Sequence, residues 1–359
     1  MRLFSRATWA AALAWLLLAP AAHAQGEPAS APSHPVRVCV FDILGTAGES
    51  YNEAKDYALA MKKETGVDMV LKTYTDERVA IEDFRTGQCD GVTATALRTR
   101  QFNPIAGALD SIGSSIIVRD GKVDMKASYE VVHDTIRTFA SPAAAKLMTN
   151  GDYEIAGIIP LGACYPFVND RKIDSVEAAA GKRIAAFAHD KAQAIMIQRI
   201  GAQPVDVDVT TFATKFNNGM VDIVVAPALV YRPLELYKGL GTKGGIVRLP
   251  MIILTYQMVI RQDKFPPGFG EKSRIYWLDG FDRALKAINK AEADIPADKW
   301  MTLTPKDTTR YALMMRDARI DIANRGLYNK VGLKVLKRVR CHINPTDPEC
   351  SSNSEMDVN

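Results

Sequence analysis

"DFRTGQCDGVTAT" at residues 83–95 returns in altered form as "KFNNGMVDIVVAP" at residues 215–227, 132 positions later. Aligned without a gap, the two stretches share five residue identities, which are Phe84/Phe216, Gly87/Gly219, Asp90/Asp222, Val92/Val224 and Ala94/Ala226. Each copy has the pattern of a helix end, a glycine in the left-handed stop position and a buried strand. The repetition predicts two similar α/β units in one chain, with each phenylalanine packing its helix on its sheet.

The elements around the two copies follow the same order. Before the first copy come an apolar strand pattern at 36–44, a helix pattern that stops at Gly66 and a second strand at 67–74. Before the second copy come "KRIAAFA", a helix with Asp190 placed to cap it, and "VDVDV". Strands that alternate with helices predict parallel β-α-β units. Thr46 and Ser50 both fit capping boxes at the start of the first helix.

Two long apolar segments flank the second unit and predict two strands that cross between the units. They are "YEIAGIIPLGACYPFV" and "GGIVRLPMIILTYQMVIR". The C-terminal third is helical by its period and is expected to pack on the first unit. The predicted organisation is lobe 1 at 36–155 plus 258–341, lobe 2 at 156–257 and a polar tail at 342–359. Two similar sheets are expected to bend around a shared gap.

The N-terminus has the features of a secretory signal peptide. Arg2 and Arg6 precede a short apolar run, and Ala22-His23-Ala24 fits a cleavage site. The alternative, an uncleaved anchor, is disfavoured because the run is shorter than the roughly 20 residues of a membrane span. Residues 25–35 are rich in Pro, Ser and Ala and predict a disordered leader. We therefore expect a periplasmic protein that does not span the membrane after signal cleavage.

The net charge and the cysteines restrict the classes of function that the sequence supports. Without the two signal-peptide arginines, 43 Lys and Arg oppose 41 Asp and Glu, a net charge of about +2 that disfavours a nucleic-acid partner. In an oxidising compartment Cys39 could pair with Cys89, from neighbouring predicted strands, and Cys341 could pair with Cys350. Cys164 is left without a predicted disulfide partner. The sequence contains no metal-binding or catalytic motif, and we expect no cofactor and no metal.

Secretion, two α/β lobes, two crossovers and a helical C-terminal part together resemble the periplasmic solute-binding proteins. "TKFNNGMVDIVVAP" and "IDSVEAAAGKRIAAF" are similar to characteristic segments of the TRAP-transporter type. "VCVFDILG", "AGIIPLGA" and "LELYKGLGTKGGIVR" resemble the AdeT-type solute-binding proteins more closely, and the likeness runs from about Val36 to Cys341. The resemblance implies an α/β fold of the type II periplasmic-binding-protein class, with two lobes joined by a two-strand hinge.

One departure from the TRAP pattern concerns the ligand. In that type an Arg in the strand after the "G-l-k-i" segment holds a ligand carboxylate by two parallel hydrogen bonds. Ala185 occupies the position in this chain, and Arg183 lies two residues earlier on the same face of the strand. An organic-acid ligand is therefore not directly implied by the resemblance.

Candidate ligand contacts lie where strands end, because open α/β sheets bind ligands at the carboxyl ends of their strands. The candidates are Thr46, Ser50, Asp76, Thr93, Thr95, Arg98, Arg183, His189, Asp190, Tyr231 and Gln257. Several have plain structural alternatives: helix caps for Thr46, Ser50 and Asp190, a solvated helix face for Arg98, and packing beneath the hinge for Tyr231.

The sequence thus predicts a non-enzymatic receptor that captures a small polar or anionic solute between its lobes and presents it to the subunits of a membrane transporter. Two alternatives remain open at this point. The chain could be an envelope accessory protein, associated with efflux or resistance, that keeps the fold. It could also be an enzyme with Cys164 as nucleophile, although no His lies near that residue in the sequence.

Overall fold

A computed structural model describes residues 34–356. The predicted signal peptide, and the predicted leader up to residue 33, lie outside the described residues. Thirteen strands form within the described range. They are β1 (Val36–Phe41), β2 (Met69–Tyr74), β3 (Gly91–Thr95), β4 (Val118–Arg119), β5 (Lys122–Val123), β6 (Thr149–Asn150), β7 (Tyr153–Val168), β8 (Arg183–Phe187), β9 (Gln203–Val207), β10 (Ile223–Pro227), β11 (Gly245–Val247), β12 (Ile252–Arg261) and β13 (Trp300–Met301).

Fourteen α-helices accompany these strands within residues 34–356, and short 3-10 turns join several of them. The helices are α1 (Glu49–Thr65), α2 (Glu77–Arg85), α3 (Ala96–Thr99), α4 (Pro104–Gly107), α5 (Met125–Ala140), α6 (Ala145–Met148), α7 (Val176–Ala179), α8 (Lys191–Arg199), α9 (Phe212–Asn217), α10 (Leu236–Leu240), α11 (Phe269–Asp279), α12 (Phe281–Ala293), α13 (Pro305–Asn324) and α14 (Lys330–Ile343). None of the helices in the described part of the chain combines the length and the apolar character that a bilayer crossing requires.

The strand order confirms the α/β fold and corrects one expectation about it. In lobe 1, β1 is parallel to β2 and β3, and in lobe 2, β8 is parallel to β9 and β10. These two sheets are not separate. The long strands β7 and β12 pair with each other and also join β3 to β10, so one hydrogen-bonded path runs β2-β1-β3-β12-β7-β10-β8-β9. The boundaries predicted at 155/156 and 257/258 fall inside these two shared strands.

The repeated stretch forms the same joint in both lobes, beginning with lobe 1. Asp90 accepts a hydrogen bond of 2.8 Å from the backbone amide of Arg37 through Oδ2, and its own amide donates to the Arg37 carbonyl at 2.7 Å. The Arg37 guanidinium donates to the Gly87 carbonyl at 3.0 Å. Gly87 has a φ of 81°, which permits the helix to stop and the strand to start within a few residues.

In lobe 2, Asp222 accepts from the Arg183 amide at 2.9 Å and donates back to its carbonyl at 2.7 Å. The Arg183 guanidinium donates to the Gly219 carbonyl at 2.9 Å, and Gly219 has a φ of 68°. The repetition in the sequence therefore encodes a local structural unit: an arginine at the start of one strand tethers the turn that precedes its parallel neighbour.

The start of α1 differs from the sequence prediction. Neither Thr46 nor Ser50 caps the helix; Gly48 is the N-cap residue and offers no side chain. The carboxylate of Asp42, which follows β1, accepts from the amide of Tyr51 at 3.1 Å instead. A Cβ at Gly48 would lie about 2 Å from that carboxylate, so only glycine allows this cap from outside the helix. Asp76 caps α2 through a hydrogen bond from the amide of Arg78.

Two disulfides secure the first sheet and the C-terminal tail. Cys39 of β1 is joined to Cys89, just before β3, and Cys341 of α14 is joined to Cys350. Both are the pairings that the sequence indicated. Cys164 is a free, buried thiol.

The C-terminal part packs on lobe 1 but also reaches lobe 2. Helix α13 contacts β4 and β5 in lobe 1 and α8 in lobe 2. Two ion pairs accompany this second contact: Arg199 lies 3.6 Å from Asp321, and Arg310 pairs with Glu177. A polar tail follows α14 and folds back on the helices, where Glu355 is nearly inaccessible to solvent. The C-terminal part therefore bridges the two lobes, since α12 and β13 also contact lobe 2.

Candidate functional site

A cavity of about 380 Å³ lies between the two lobes. Its wall includes the residues that follow β1 and end β3 in lobe 1, and those that follow β8 and end β10 in lobe 2. The shared strands β7 and β12 contribute Leu161, Cys164 and Leu254, and the C-terminal part contributes Tyr311 and Met314 of α13. The cavity therefore occupies the position where open α/β sheets bind ligands, and its volume is typical of small-molecule sites.

A β-bulge shapes this wall. In the β7–β12 ladder Leu254 pairs with Gly162 and Thr255 pairs with Pro160, so Leu161 has no partner opposite it. Gly162 adopts a φ of 121°, a conformation open only to glycine at low cost. Such a bulge re-aims a side chain, and Leu161 lines the cavity.

The charged side chains on the wall are all acidic within the described residues. They are Asp42, Glu49, Glu77, Asp110 and Asp190, and neither a lysine nor an arginine lines the cavity in that range. The remaining wall is largely aliphatic and aromatic, with Ser50, Thr95, Gln193 and His189 as polar exceptions. The wall consequently offers no side-chain clamp for a carboxylate.

Glu77, in α2, is one of the buried acids on the wall. Its Oε1 accepts a hydrogen bond of 2.6 Å from the amide of Thr95, at the end of β3, and its Oε2 lies 3.8 Å from Nε of Arg98. Burial raises the pKa of Glu77 to about 7, because the hydrogen bonds and the distant Arg98 charge only partly offset desolvation.

Asp110 ends a short 3-10 turn of lobe 1 and is 1% exposed. Its carboxylate accepts from the amide of Thr255 at 2.7 Å and from the Thr255 hydroxyl at 2.6 Å. Burial raises the pKa of Asp110 to about 7. Thr255 precedes Tyr256, the residue that pairs with Thr95 across β12 and β3. Glu77 and Asp110 are thus bonded to backbone groups at neighbouring register positions of the β3–β12 ladder.

On the lobe 2 side, His189 and Asp190 precede α8. Asp190 caps that helix through hydrogen bonds from Ala192 and Gln193 at 3.1 and 3.3 Å. Burial, with Arg98 as the next cause, lowers the pKa of His189 to about 4, so the imidazole is neutral at pH 7. Its Nε2 makes no hydrogen bond within residues 34–356. The imidazole therefore adds a polar group but no positive charge to the wall.

Two arginines near the cavity, Arg98 and Arg100, do not line it. Arg98 lies in a second depression of about 520 Å³ with Arg78, His189 and Lys215. Arg100 faces Asp190 at 3.8 Å and lies over the ring of Tyr328 at 5.7 Å. Arg98, a candidate ligand contact, therefore does not line the main cavity.

The structure brings four of the predicted contact residues together on the cavity wall: Ser50, Thr95, His189 and Asp190. Arg98 and His189 line the second depression. Six candidates lie away from the main cavity, and these are Thr46, Asp76, Thr93, Arg183, Tyr231 and Gln257.

Each of the six has a structural role or position that accounts for its location. Asp76 caps α2, and Arg183 tethers the joint at the other end of the lobe 2 sheet. Thr93 contacts the Tyr256 hydroxyl, and Gln257 accepts from Thr99 at 2.7 Å. Tyr231 packs against Phe167 and Tyr237, and Thr46 is exposed in the turn before α1.

Glu77, Asp110 and the α13 residues on the wall carry no sequence signal that marks them as ligand contacts. Glu77 follows an N-cap residue, where an acid is common on any helix, and Asp110 lies among very short helices without a strand signal. The clearest sequence signal for a buried polar group at this site is Thr255, since a hydroxyl in an apolar strand requires a buried partner.

Comparisons with known proteins agree with this architecture. A family profile described as "Solute-binding protein AdeT 1/2" matches residues 58–355. The chain is 44% identical over 316 residues to "Probable solute-binding protein AdeT1" of Acinetobacter baumannii, covering 88% of this chain and all of the relative. It is 27% identical over 209 residues to "Probable solute-binding protein AdeT2" of the same organism, covering 58% of this chain and 88% of the relative.

Solved structures of TRAP periplasmic solute-binding proteins share the fold. One, from Desulfovibrio salexigens with bound orotic acid, superposes with a TM-score of 0.65 at 15% identity, covering 86% of this chain and 99% of the other. Another, from Shewanella oneidensis with bound succinate, gives a TM-score of 0.66 at 13% identity, covering 86% and 100%. At these identities the likeness concerns the fold alone.

Proposed function

Because the chain belongs to the AdeT 1/2 family of solute-binding proteins, which are not enzymes, we propose that it captures a small organic solute between its lobes and presents it to a membrane transporter. The cavity enclosed by both lobes carries this proposal. A solute that contacts two lobes stabilises the arrangement in which they surround it, and a partner can recognise that arrangement. We place this activity in the periplasm, the compartment named for the structural neighbours.

The hinge that such a cycle needs is supported by the topology. Within the described part of the chain, strands β7 and β12 run through both lobes, while α12, β13 and α13 of the C-terminal part also contact lobe 2, and Gly162 interrupts the regular ladder at the cavity. A small change in the twist of two strands changes the distance between the lobe rims. The polar groups without hydrogen-bond partners within residues 34–356 include Thr95 Oγ1 and His189 Nε2, which fits a solute with a polar group.

The sequence predicts a polar or anionic solute. TRAP proteins of the same fold were solved with orotic acid and succinate. For this chain an anionic solute stays a prediction, and the acidic side chains of the cavity wall disfavour it.

Thermal unfolding with pools of organic acids, amino acids, sugars, amines and aromatic compounds tests the proposal. A bound solute raises the unfolding free energy by RT ln(1 + [L]/Kd), about 2.7 kcal/mol at a hundredfold excess over Kd. Leu161→Trp fills the cavity and should abolish the shift, whereas Leu59→Trp, at an exposed position of α1, should leave it unchanged. No shift with any pool would overturn solute capture and favour an accessory protein that keeps the fold.

A further inference from the structure

The wall of the interlobe cavity carries an unusual balance of charge. Five acidic side chains line it, and no lysine or arginine does so within residues 34–356. The one histidine is neutral at pH 7, since burial lowers its pKa to about 4. An anion placed in this cavity would meet carboxylates without a compensating cation, which is a costly arrangement in a partly desolvated site.

Glu77 and Asp110 are the acids that a ligand charge would affect most. Both are buried, and hydrogen bonds from backbone amides and one threonine hydroxyl hold them in place. Asp110 has no cationic side chain within 4 Å among the described residues, and Glu77 has only Arg98, at the 3.8 Å limit of contact. Asp110 therefore lacks a direct counter-ion, and the counter-ion of Glu77 makes no hydrogen bond to it through Nε.

Other groups on the wall can contact the polar and apolar parts of a ligand. Thr95 is 8% exposed, adjoins Glu77, and its Oγ1 makes no hydrogen bond within the described chain, so it can accept one from an N–H donor. The aromatic rings of Phe41, Phe187, Tyr311 and Tyr328 border the same cavity. Aromatic faces attract cations and also pack apolar groups.

We propose that the cavity selects an organic cation with an apolar body, in which an ammonium group pairs with the Glu77 carboxylate beside the Thr95 hydroxyl, on a wall to which Asp110 adds a second buried acid. This inference rests on the proposed function and names the ligand class for the same site. Two carboxylates, a free hydroxyl and aromatic rings form the recognition surface. The neighbouring Arg98 and Arg100 engage Glu77 and Asp190 and leave the interior of the wall acidic.

Three probes of similar shape and different charge test the proposal by titration calorimetry at pH 7: 3-phenylpropylamine, 3-phenylpropan-1-ol and 3-phenylpropionate. The amine should bind at least about tenfold more tightly than the propionate, since opposite charges attract and like charges repel in a partly buried site. Amine binding should also release protons, because a nearby cation lowers the pKa of half-protonated carboxyls. The release appears as an enthalpy that depends on the ionisation heat of the buffer.

Glu77→Gln and Asp110→Asn keep an acceptor for their backbone donors and remove the charge. Each should weaken amine binding about tenfold, leave the alcohol within about twofold and suppress the proton release. Glu130→Gln, at an exposed acid of α5, is the matched control. The melting transition of each variant verifies that it folds.

The outcomes separate the two proposals. Equal or tighter binding of the propionate, or amine binding unchanged in both charge variants, overturns the cation inference while solute capture stands. Absence of binding by all three probes together with a thermal shift from the organic-acid pool also overturns the cation inference alone. Absence of any binding, with probes and pools alike, overturns solute capture itself.

Discussion

The guanidinium of Arg100 and the carboxylate of Asp190 face each other across the two lobes, with Nη1 3.8 Å from Oδ1. Arg100 ends α3 in lobe 1, and Asp190 caps α8 in lobe 2. Both side chains are largely shielded from water, at 18% and 10% exposure. A shielded pair interacts more strongly than a surface pair, so it favours the arrangement in which the lobes enclose the cavity.

Removing the charge of Asp190 should therefore weaken ligand capture. Asp190→Asn preserves the cap of α8, because asparagine is an equally good N-cap residue. We expect the Kd of the solute to rise about five- to tenfold, corresponding to about 1–1.4 kcal/mol. Calorimetry measures the affinity, and small-angle scattering measures the mean separation of the lobes.

Asp124→Asn is the control for this change. Asp124 also caps a helix, α5, and also pairs with an arginine, Arg119, but both residues lie in lobe 1. Equal effects of the two substitutions on Kd would show that the interlobe contact is unimportant.

The stability of the protein should fall as the pH rises through neutrality. Burial raises the pKa values of Glu77 and Asp110 to about 7, above those of the unfolded chain. The folded state then binds more protons than the unfolded state between about pH 5 and 8, so its stability is greatest when both carboxyls are protonated and declines as they ionise. Near pH 7 the two groups together account for a slope of about −1.4 kcal/mol per pH unit.

Urea unfolding between pH 7 and 8.5 measures this slope, because His189 is neutral in the folded state and at least about three-quarters neutral in the unfolded state over that range. Below pH 6.5 the lowered pKa of His189 acts in the opposite direction and stabilises the fold as the pH rises. The double variant Glu77→Gln/Asp110→Asn should have a flatter profile. A variant profile parallel to that of the parent would refute the assignment.

Arg183 should matter for stability and not for ligand affinity. Its guanidinium binds Asp222 and the Gly219 carbonyl and, with the backbone contacts, holds the pKa of Asp222 at about 2. Arg183→Ala should lower the free energy of unfolding only modestly, since the side chain is 43% exposed and water screens its ion pair.

Arg37→Ala is a matched test in lobe 1, because Arg37 makes the corresponding contacts with Asp90 and Gly87. Chemical denaturation should give similar losses for the two variants, and calorimetry should give an unchanged Kd. A tenfold loss of affinity confined to Arg183→Ala would restore this residue to the ligand site.

The two disulfides should differ in their contribution to stability. Cys39 and Cys89 are separated by 50 positions and Cys341 and Cys350 by 9. In the chain-entropy description, closing these loops contributes about 4 and about 2.6 kcal/mol. Double alanine variants of each pair, compared by denaturant unfolding with and without a reductant, should rank in that order. The opposite order would show that the tail contributes more than its short loop indicates.

Loss of the Glu355 charge should destabilise the packing of the tail. Glu355 is 2% exposed and accepts from Arg319 at 2.6 Å and from Arg340 at 2.7 Å. Substitution by Ala leaves two buried guanidinium groups short of a partner, for which we expect a cost of about 3–5 kcal/mol. Thermal unfolding measures this loss. Glu130→Ala, at an exposed acid in α5, should have almost no effect, and equal melting temperatures for both variants would contradict the prediction.

The local elements were largely predictable from the sequence because their signals are local. Gly87 and Gly219 adopt the left-handed conformation that the repeat predicts, and Phe84 and Phe216 are buried under it. Asp190 caps α8 as its position indicated. The start of α1 was not predictable, since its cap is Asp42, a residue that lies outside the helix and is brought there by the end of β1.

By itself, the sequence determined the α/β class, the two similar lobes and the crossing strands, because hydrophobic period, glycine stops and repeated residues act within a few positions along the chain. Only the tertiary structure decided which side chains face the solute. Glu77 and Asp110 bind the backbone amides of Thr95 and Thr255, which reach neighbouring register positions only when β3 and β12 lie side by side. The apolar character of the cavity likewise depends on side chains from both lobes and from α13, which are distant in the sequence.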